Sequence, residues 1–145
     1  MAARRIAYAP GVYDLFHIGH LNLLRNARER CDHLIVGVVT DELALRAKGV
    51  EPVVPLDERL AIVASIRYVD EAVPEDLPHK LEMWERLQFN AIVKGDDWKG
   101  TDRGDKLEAD FAEVGVEVVY VPYTKQTSST MLRRMLTREI DGLSR

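Results

Sequence analysis

Residues 33–40, "HLIVGVVT", are apolar almost throughout, with no alternation of polar and apolar positions. A strand with one face to water alternates, so this one must be covered on both faces, as a central strand of a parallel sheet is. The chain therefore needs helices on two sides of a sheet, and the flanking sequence supplies them. Residues 4–9, "RRIAYA", read as a short buried strand that Pro10 and Gly11 break. Leu21, Leu24 and Ala27, with Ile18 one turn earlier, repeat at helical spacing over 18–30.

The alternation then continues to the end of the chain. A short helix over 41–47 leads into "KGVEPVVPLDERL", whose glycine and prolines mark a loop, and Asp57 or the residues just before it start the helix "ERLAIVASIRYV". A strand at 69–73, a helix over 78–88, the strand "AIVKG", a helix over 104–114, the strand "VEVVYVP" and a helix over 128–138 follow. Five strands alternating with five or six helices predict one doubly wound, Rossmann-like α/β domain over residues 1–145. Its five-stranded parallel sheet has the expected order 3-2-1-4-5, with right-handed crossovers and helices on both faces. Ligands of such sheets bind beyond the carboxyl ends of the strands, where the strand order reverses.

Composition narrows the partners. At 145 residues and 46% hydrophobic content, the chain can bury a core without disulfides. A net charge of -4 gives no basic face for a nucleic acid, so an anionic ligand must be held by a local set of donors. The lone Cys31 excludes an internal disulfide and reads as a structural thiol. The longest apolar run, "LIVGVV", falls far short of a membrane span, which sets the expectation of a cytoplasmic protein with no membrane contact.

Three polar stretches, "GVYDLFHIGH", "VKGDDWKG" and "YTKQTSST", each follow an expected strand directly, so the fold collects them at one edge of the sheet. In the first, Gly11 allows a tight turn and Gly19, in the first turn of the helix, allows a ligand to approach the main chain. Free N–H groups at a helix start favour phosphate. His17 and His20, three apart, lie on one side of that start, where both rings can donate to developing negative charge. The alternatives are two capping histidines or a zinc pair. Zinc needs further ligands, and Asp14, Cys31 and His33 stand at unsuitable spacing, so no protein-held metal is expected.

"GVYDLFHIGH" resembles the pattern Gly-x-Phe-Asp-x-x-His-x-Gly-His of the cytidylyltransferase-like nucleotidyltransferases, with Tyr13 in place of Phe. "TDELALRAKG", "DERLAIVASIRYVDEAVPE" and "VKGDDWKG" are similar to the corresponding parts of the bacterial glycerol-3-phosphate cytidylyltransferases. The resemblance implies transfer of CMP from CTP, with Mg²⁺, to a small phosphate- or phosphonate-bearing acceptor such as glycerol 3-phosphate, releasing pyrophosphate. It also implies a homodimer.

It assigns residues as well. His17 and His20 become stabilisers of the triphosphate in the transition state, with Tyr13, Asp14 and Gly19 in the nucleotide site. Lys48 matches a mobile-loop lysine, against the plain reading of a solvated one. Arg59 matches an arginine whose planar fork clamps phosphate oxygens, against a surface arginine paired with an acid. Gly95 permits a turn, Asp96 and Asp97 accept from base or ribose, and Trp98 stacks or closes the pocket.

The final motif departs from the family pattern Arg-Thr-x-Gly-x-Ser-Thr-Thr. Here it reads Tyr123, Thr124, Lys125, Gln126, Thr127, Ser128, Ser129, Thr130, without the arginine and the glycine. Thr124, Thr127, Ser128, Ser129 and Thr130 still offer hydroxyls at a helix start, for phosphate or for capping alone. Lys125 or Arg133 would have to replace the lost guanidinium, while at least two of Arg133, Arg134 and Arg138 are expected in solvent. Two alternatives accompany this reading: an adenylyltransferase using ATP, as in cofactor synthesis, and a non-catalytic nucleotide-binding module.

Overall fold

The computed structural model describes residues 4–124 and 127–143. Five parallel strands, β1 (Ile6–Gly11), β2 (His33–Val39), β3 (Glu71–Glu75), β4 (Ala91–Gly95) and β5 (Glu117–Val121), form one sheet in the order β3-β2-β1-β4-β5. The sheet order expected from the sequence is the one found. The helices are α1 (Ile18–Arg28), α2 (Asp41–Lys48), α3 (Leu56–Ala64), α4 (Lys80–Leu87), α5 (Asp102–Ala112) and α6 (Ser129–Leu143), with a 3-10 turn over Asp96–Trp98.

Two apolar layers cover the sheet. On one face Ala7, Ala9, Val36, Val38 and Val93 meet Leu24 and Ala27 of α1 and Val63 of α3. On the other, Tyr8, Ile35 and Ile92 meet Met83 of α4 and Leu107 and Phe111 of α5. Both faces of β2 are thus buried, as its unbroken apolar run requires.

Strand boundaries shift where the chain contains proline. β1 runs through Pro10 and Gly11, which the sequence reading takes as its end. Its pairing with β4 stops at Tyr8 while its pairing with β2 continues to Gly11. Pro10 therefore sits where one edge of the strand is open, a setting that accepts a residue without an N–H. β3 lies two residues later than expected and includes Pro74, which the outermost strand tolerates for the same reason. α3 ends at Ala64, short of the expected run to residue 69, and α6 extends beyond residue 138.

The gap between the carboxyl ends of β1 and β4 is the point at which the strand order reverses. On the α4/α5 face a buried hydrogen bond reaches from β1 across β2 to β3, where the Tyr8 hydroxyl donates to Glu75 across 2.7 Å. The Tyr8 ring crosses β2 directly over Gly37, where a side chain would overlap the hydroxyl. Gly37→Ala is expected to lower stability by about 2–3 kcal/mol, because it forces Tyr8 off its carboxylate in a close-packed core. Urea denaturation with an unchanged m-value would report it, and an unaltered midpoint would contradict it.

Candidate active site

The turn after β1 is built under backbone strain. Tyr13 and Leu15 adopt left-handed conformations, with φ of 55° and 50°, which non-glycine residues rarely hold without compensation. Tyr13 supplies part of it. Its ring is 4% exposed and its hydroxyl donates back to the Ala9 carbonyl at 3.0 Å. It contributes a wall of the site, with its hydroxyl turned inward.

His17 is the N-cap of α1, and the two histidines satisfy the helix start together. The Nδ1 of His17 accepts from the Gly19 N–H at 3.0 Å, and the Nδ1 of His20 accepts from the His17 N–H at 3.1 Å. This is a capping box made of imidazoles. Because each Nδ1 is an acceptor, each neutral ring carries its proton on Nε2. Capping and phosphate binding, alternatives at the level of sequence, use different nitrogens and do not compete. The rings lie 4.0 Å apart between centroids.

Burial, then the neighbouring His17, pushes His20 down to about 3, with Asp14 opposing and Lys48 adding a smaller push. Burial also lowers His17. The space above Gly19 is occupied by the His17 ring, to which a Cβ would come within 2.7 Å. Gly19 therefore makes room for the cap, where the sequence reading has it making room for a ligand.

Asp14 is 1% exposed and staples three segments. Its carboxylate accepts from the N–H groups of Val53 and Val54 at 2.8 and 2.9 Å and from Arg133 at 3.1 Å. Burial would raise its pKa, but these donors hold it below the usual carboxylate range. The Ser129 hydroxyl donates to the Asp14 carbonyl at 2.6 Å, while Ser128 accepts from the Met131 N–H and caps α6. Thr124 accepts from Asn22 of α1. Lys125 lies outside the described residues.

Two expectations need correction. Arg59 does not present its fork to a ligand: it is 1% exposed and donates to the carbonyls of Val54, Val12 and Val39 and to Asp41, all at 2.5–2.8 Å. Carbonyls left over at the ends of β1 and β2 took the donors that sequence assigned to phosphate. Lys48 is the last residue of α2, followed by Gly49 at φ 73°, so a helix carries it and not the loop itself.

A cavity of about 330 Å³ opens at this edge, lined by Tyr13, Asp14, His20, Lys48, Thr130 and Arg133, among others. The Lys48 ammonium is lowered by burial and by the cations Arg133 and Arg103. Arg133 has a buried Nε without a partner among the described residues. Arg133 is the residue the sequence reading left open, while Arg134 and Arg138 are exposed as expected. Its spacing of four from Ser129, on one face of α6, was the available signal.

Across the gap, Asp96 accepts from the Tyr123 N–H at 3.0 Å and joins the loops after β4 and β5. Asp97 is exposed, and its carboxylate occupies the space above Gly95. Two cations approach the Trp98 ring, with the Lys94 Nζ 3.9 Å and the Arg103 Cζ 4.4 Å from its centroid. Sequence reasoning passed over Lys94 and Arg103. Thr127 is partly buried ahead of α6. Among the described residues, no group of three or more His, Cys, Asp or Glu is placed to hold a metal, and no helix is long and apolar enough to cross a membrane.

Two outcomes follow from this geometry. A histidine that stays neutral in the folded state yet takes a proton near 6.5 when unfolded favours unfolding as pH falls. Its contribution to stability is complete above 6.5 and declines toward about 3. NMR of the imidazoles should accordingly show no His20 titration between about pH 8 and about pH 5; a midpoint inside that range would overturn the buried assignment. Arg59→Lys is expected to cost about 2–4 kcal/mol in denaturant unfolding, because one ammonium cannot serve four acceptors held in a planar fork.

Comparisons with known proteins identify the family. The family model described as cytidylyltransferase-like matches residues 8–135. The chain is 37% identical over 127 residues to a glycerol-3-phosphate cytidylyltransferase of Staphylococcus aureus, covering 87% of this chain and 90% of that protein. It is 36% identical over 140 residues to the Bacillus subtilis protein of the same name, covering 92% and 95%. An FAD synthase of Pyrococcus abyssi is 32% identical over 131 residues, covering 88% and 87%. Among solved structures, a lipopolysaccharide core biosynthesis protein of Thermoplasma volcanium shares the fold, with a TM-score of 0.71 at 23% identity over 86% of this chain and all of that one. With its sheet order, its histidine-capped helix and these relatives, the chain belongs to the cytidylyltransferase-like family.

Proposed function

We propose that the protein is a nucleotidyltransferase that moves CMP from CTP to a small acceptor bearing a phosphate or phosphonate, with glycerol 3-phosphate as the reference acceptor. The glycerol-3-phosphate cytidylyltransferases among its relatives support that choice over ATP. The observation that carries the reading is the pair of neutral imidazoles at the start of α1, both protonated on Nε2, beside a cavity that also holds Lys48 and Arg133.

An oxygen of the acceptor attacks the α-phosphorus of CTP, the bond to the β-phosphate oxygen breaks, and pyrophosphate leaves. No covalent enzyme intermediate is required. His17 and His20 donate through Nε2 to phosphoryl oxygens whose charge grows in the transition state. A neutral donor fixed before the reaction serves this purpose without surrendering a proton. Lys48 and Arg133 hold the triphosphate, and Arg133, already beside Asp14, takes the part of the arginine missing at Tyr123. Asp14 and Arg59 are positioning residues that act through the segments they tie together. Asp96, Asp97, Thr124, Thr127 and Thr130 form the base and ribose end of the site.

Mg²⁺ enters with CTP as part of the substrate, because the ion keeps waters and phosphate oxygens as ligands and needs few from the protein. A cytoplasmic location belongs to this reading. A homodimer belongs to this reading as well, supported by the exposed apolar side chains of Met131 and Met135, which a second copy would cover.

Pyrophosphate release with Mg²⁺ and each nucleoside triphosphate, against a panel of polyol, sugar and amino-alcohol phosphates and simple phosphonates, is the direct test. Release with CTP and one acceptor is expected. Release with ATP alone would favour the adenylyl alternative, and nucleotide binding without release under any acceptor a non-catalytic module. His17→Asn and His20→Gln, which keep oxygen acceptors for the cap, are expected to lower turnover about a hundredfold with little change in thermal stability.

A further inference from the structure

One cation beside the site has no part in the function described so far. Lys94, the penultimate residue of β4, shares its side of the sheet with Tyr8 and Ile92, the face covered by α4 and α5. Among the described residues no carboxylate lies within ion-pair distance of its ammonium. Its neighbour is the Trp98 ring, 3.9 Å from Nζ. The closest buried acid on that face, Glu75, is already taken, by Lys80 at 3.2 Å and by the Tyr8 hydroxyl at 2.7 Å.

Burial, followed by the charges of Lys80 and Lys48, pushes Lys94 down to about 7, against the pull of Glu75 and Asp97. Lys48, Lys80, Lys94 and Arg103 thus converge on one end of the sheet. Lys94 is only partly exposed, and an ammonium with little water around it is costly unless an anion completes it. Its packing against the Trp98 ring holds the side chain but supplies no counter-charge.

Its position indicates which anion. The histidines stand on α1, which packs on the opposite face of the sheet, and the triphosphate cavity is lined from that loop and from α6. In an in-line displacement the attacking oxygen and the departing pyrophosphate lie on opposite sides of the phosphorus. Lys48, the last residue of α2, lends its charge to the surroundings of both His20 and Lys94. Lys94 thus lies across the sheet from the histidines.

We propose that Lys94 recognises the acceptor by pairing with an acidic group other than the one that attacks the nucleotide, so that the preferred acceptors carry both a phosphate or phosphonate and a carboxylate. This rests on the transferase reading above and specifies its substrate class. Trp98 and Arg103 form the wall against which that second group is held, and the cation–π contact keeps the lysine stem in place.

The test compares acceptors of matched skeleton, glycerol 3-phosphate and 3-phosphoglycerate, with phosphonoacetate as the phosphonate member. For the native protein, kcat/KM with 3-phosphoglycerate is expected to exceed that with glycerol 3-phosphate by about tenfold or more. In Lys94→Met that ratio falls to near one, chiefly through KM, and Lys94→Arg restores part of it. A ratio unchanged in Lys94→Met, even with both activities reduced, would assign the lysine a structural role and overturn the proposal. So would a native preference for glycerol 3-phosphate.

Calorimetry of 3-phosphoglycerate and phosphonoacetate without nucleotide separates this idea from the reading beneath it. If no acceptor supports pyrophosphate release but binding still depends on Lys94, the transferase reading fails and the acidic subsite stands. Equal affinity in the native protein and Lys94→Met removes the subsite whatever the turnover.

Discussion

The carboxyl edge of the sheet depends on one buried guanidinium. Where β1 and β2 end, carbonyls of Val12 and Val39 leave the sheet ladder, and the loop before α3 adds the carbonyl of Val54. These carbonyls are partly buried, and acceptors left unpaired there are costly. Arg59 meets all three and closes the set with Asp41 at the start of α2. The turn after β1, the junction of β2 and α2, and the loop before α3 are thereby held by one planar guanidinium. Asp14 performs the reciprocal task with donors, gathering the N–H groups of Val53 and Val54 and the side chain of Arg133. The cavity exists because these two buried charges fix the loops around it.

On that frame the histidine pair does two jobs with two nitrogens. A backbone that enters a helix leaves orphan N–H groups, and ordinary caps satisfy them with oxygen. Here imidazole Nδ1 atoms do so, which orients both rings and leaves both Nε2–H groups as donors. The depressed basicity of His20 follows from the same burial that orders it. Catalytic preorganisation and helix capping are one arrangement, and the strained φ values of Tyr13 and Leu15 are its local cost.

Much of this was legible beforehand because it rests on local pattern. The unbroken apolar run of β2 implies a sheet covered on both faces, and strand and helix periodicity implies alternation. The placement of three polar stretches after strands implies one site. Boundaries failed at prolines, since whether Pro10 or Pro74 ends a strand depends on whether a neighbour needs its N–H, and that is set by strand pairing. Arg59 was misjudged for a similar reason: the family resemblance assigns it to phosphate, while its partners are carbonyls 5, 20 and 47 residues away.

The sequence by itself determined the fold class and the identity of the histidine pair, because these follow from periodicity and from residues adjacent in the chain. Only the tertiary structure decided the tautomers of those histidines, the burial of Arg59 and Asp14, the turn of Arg133 into the cavity and the isolation of Lys94 above Trp98. Each of these is a matter of which partner is near, and how little water remains. Charge and proton affinity are set by such neighbours in three dimensions, which residue order alone does not specify.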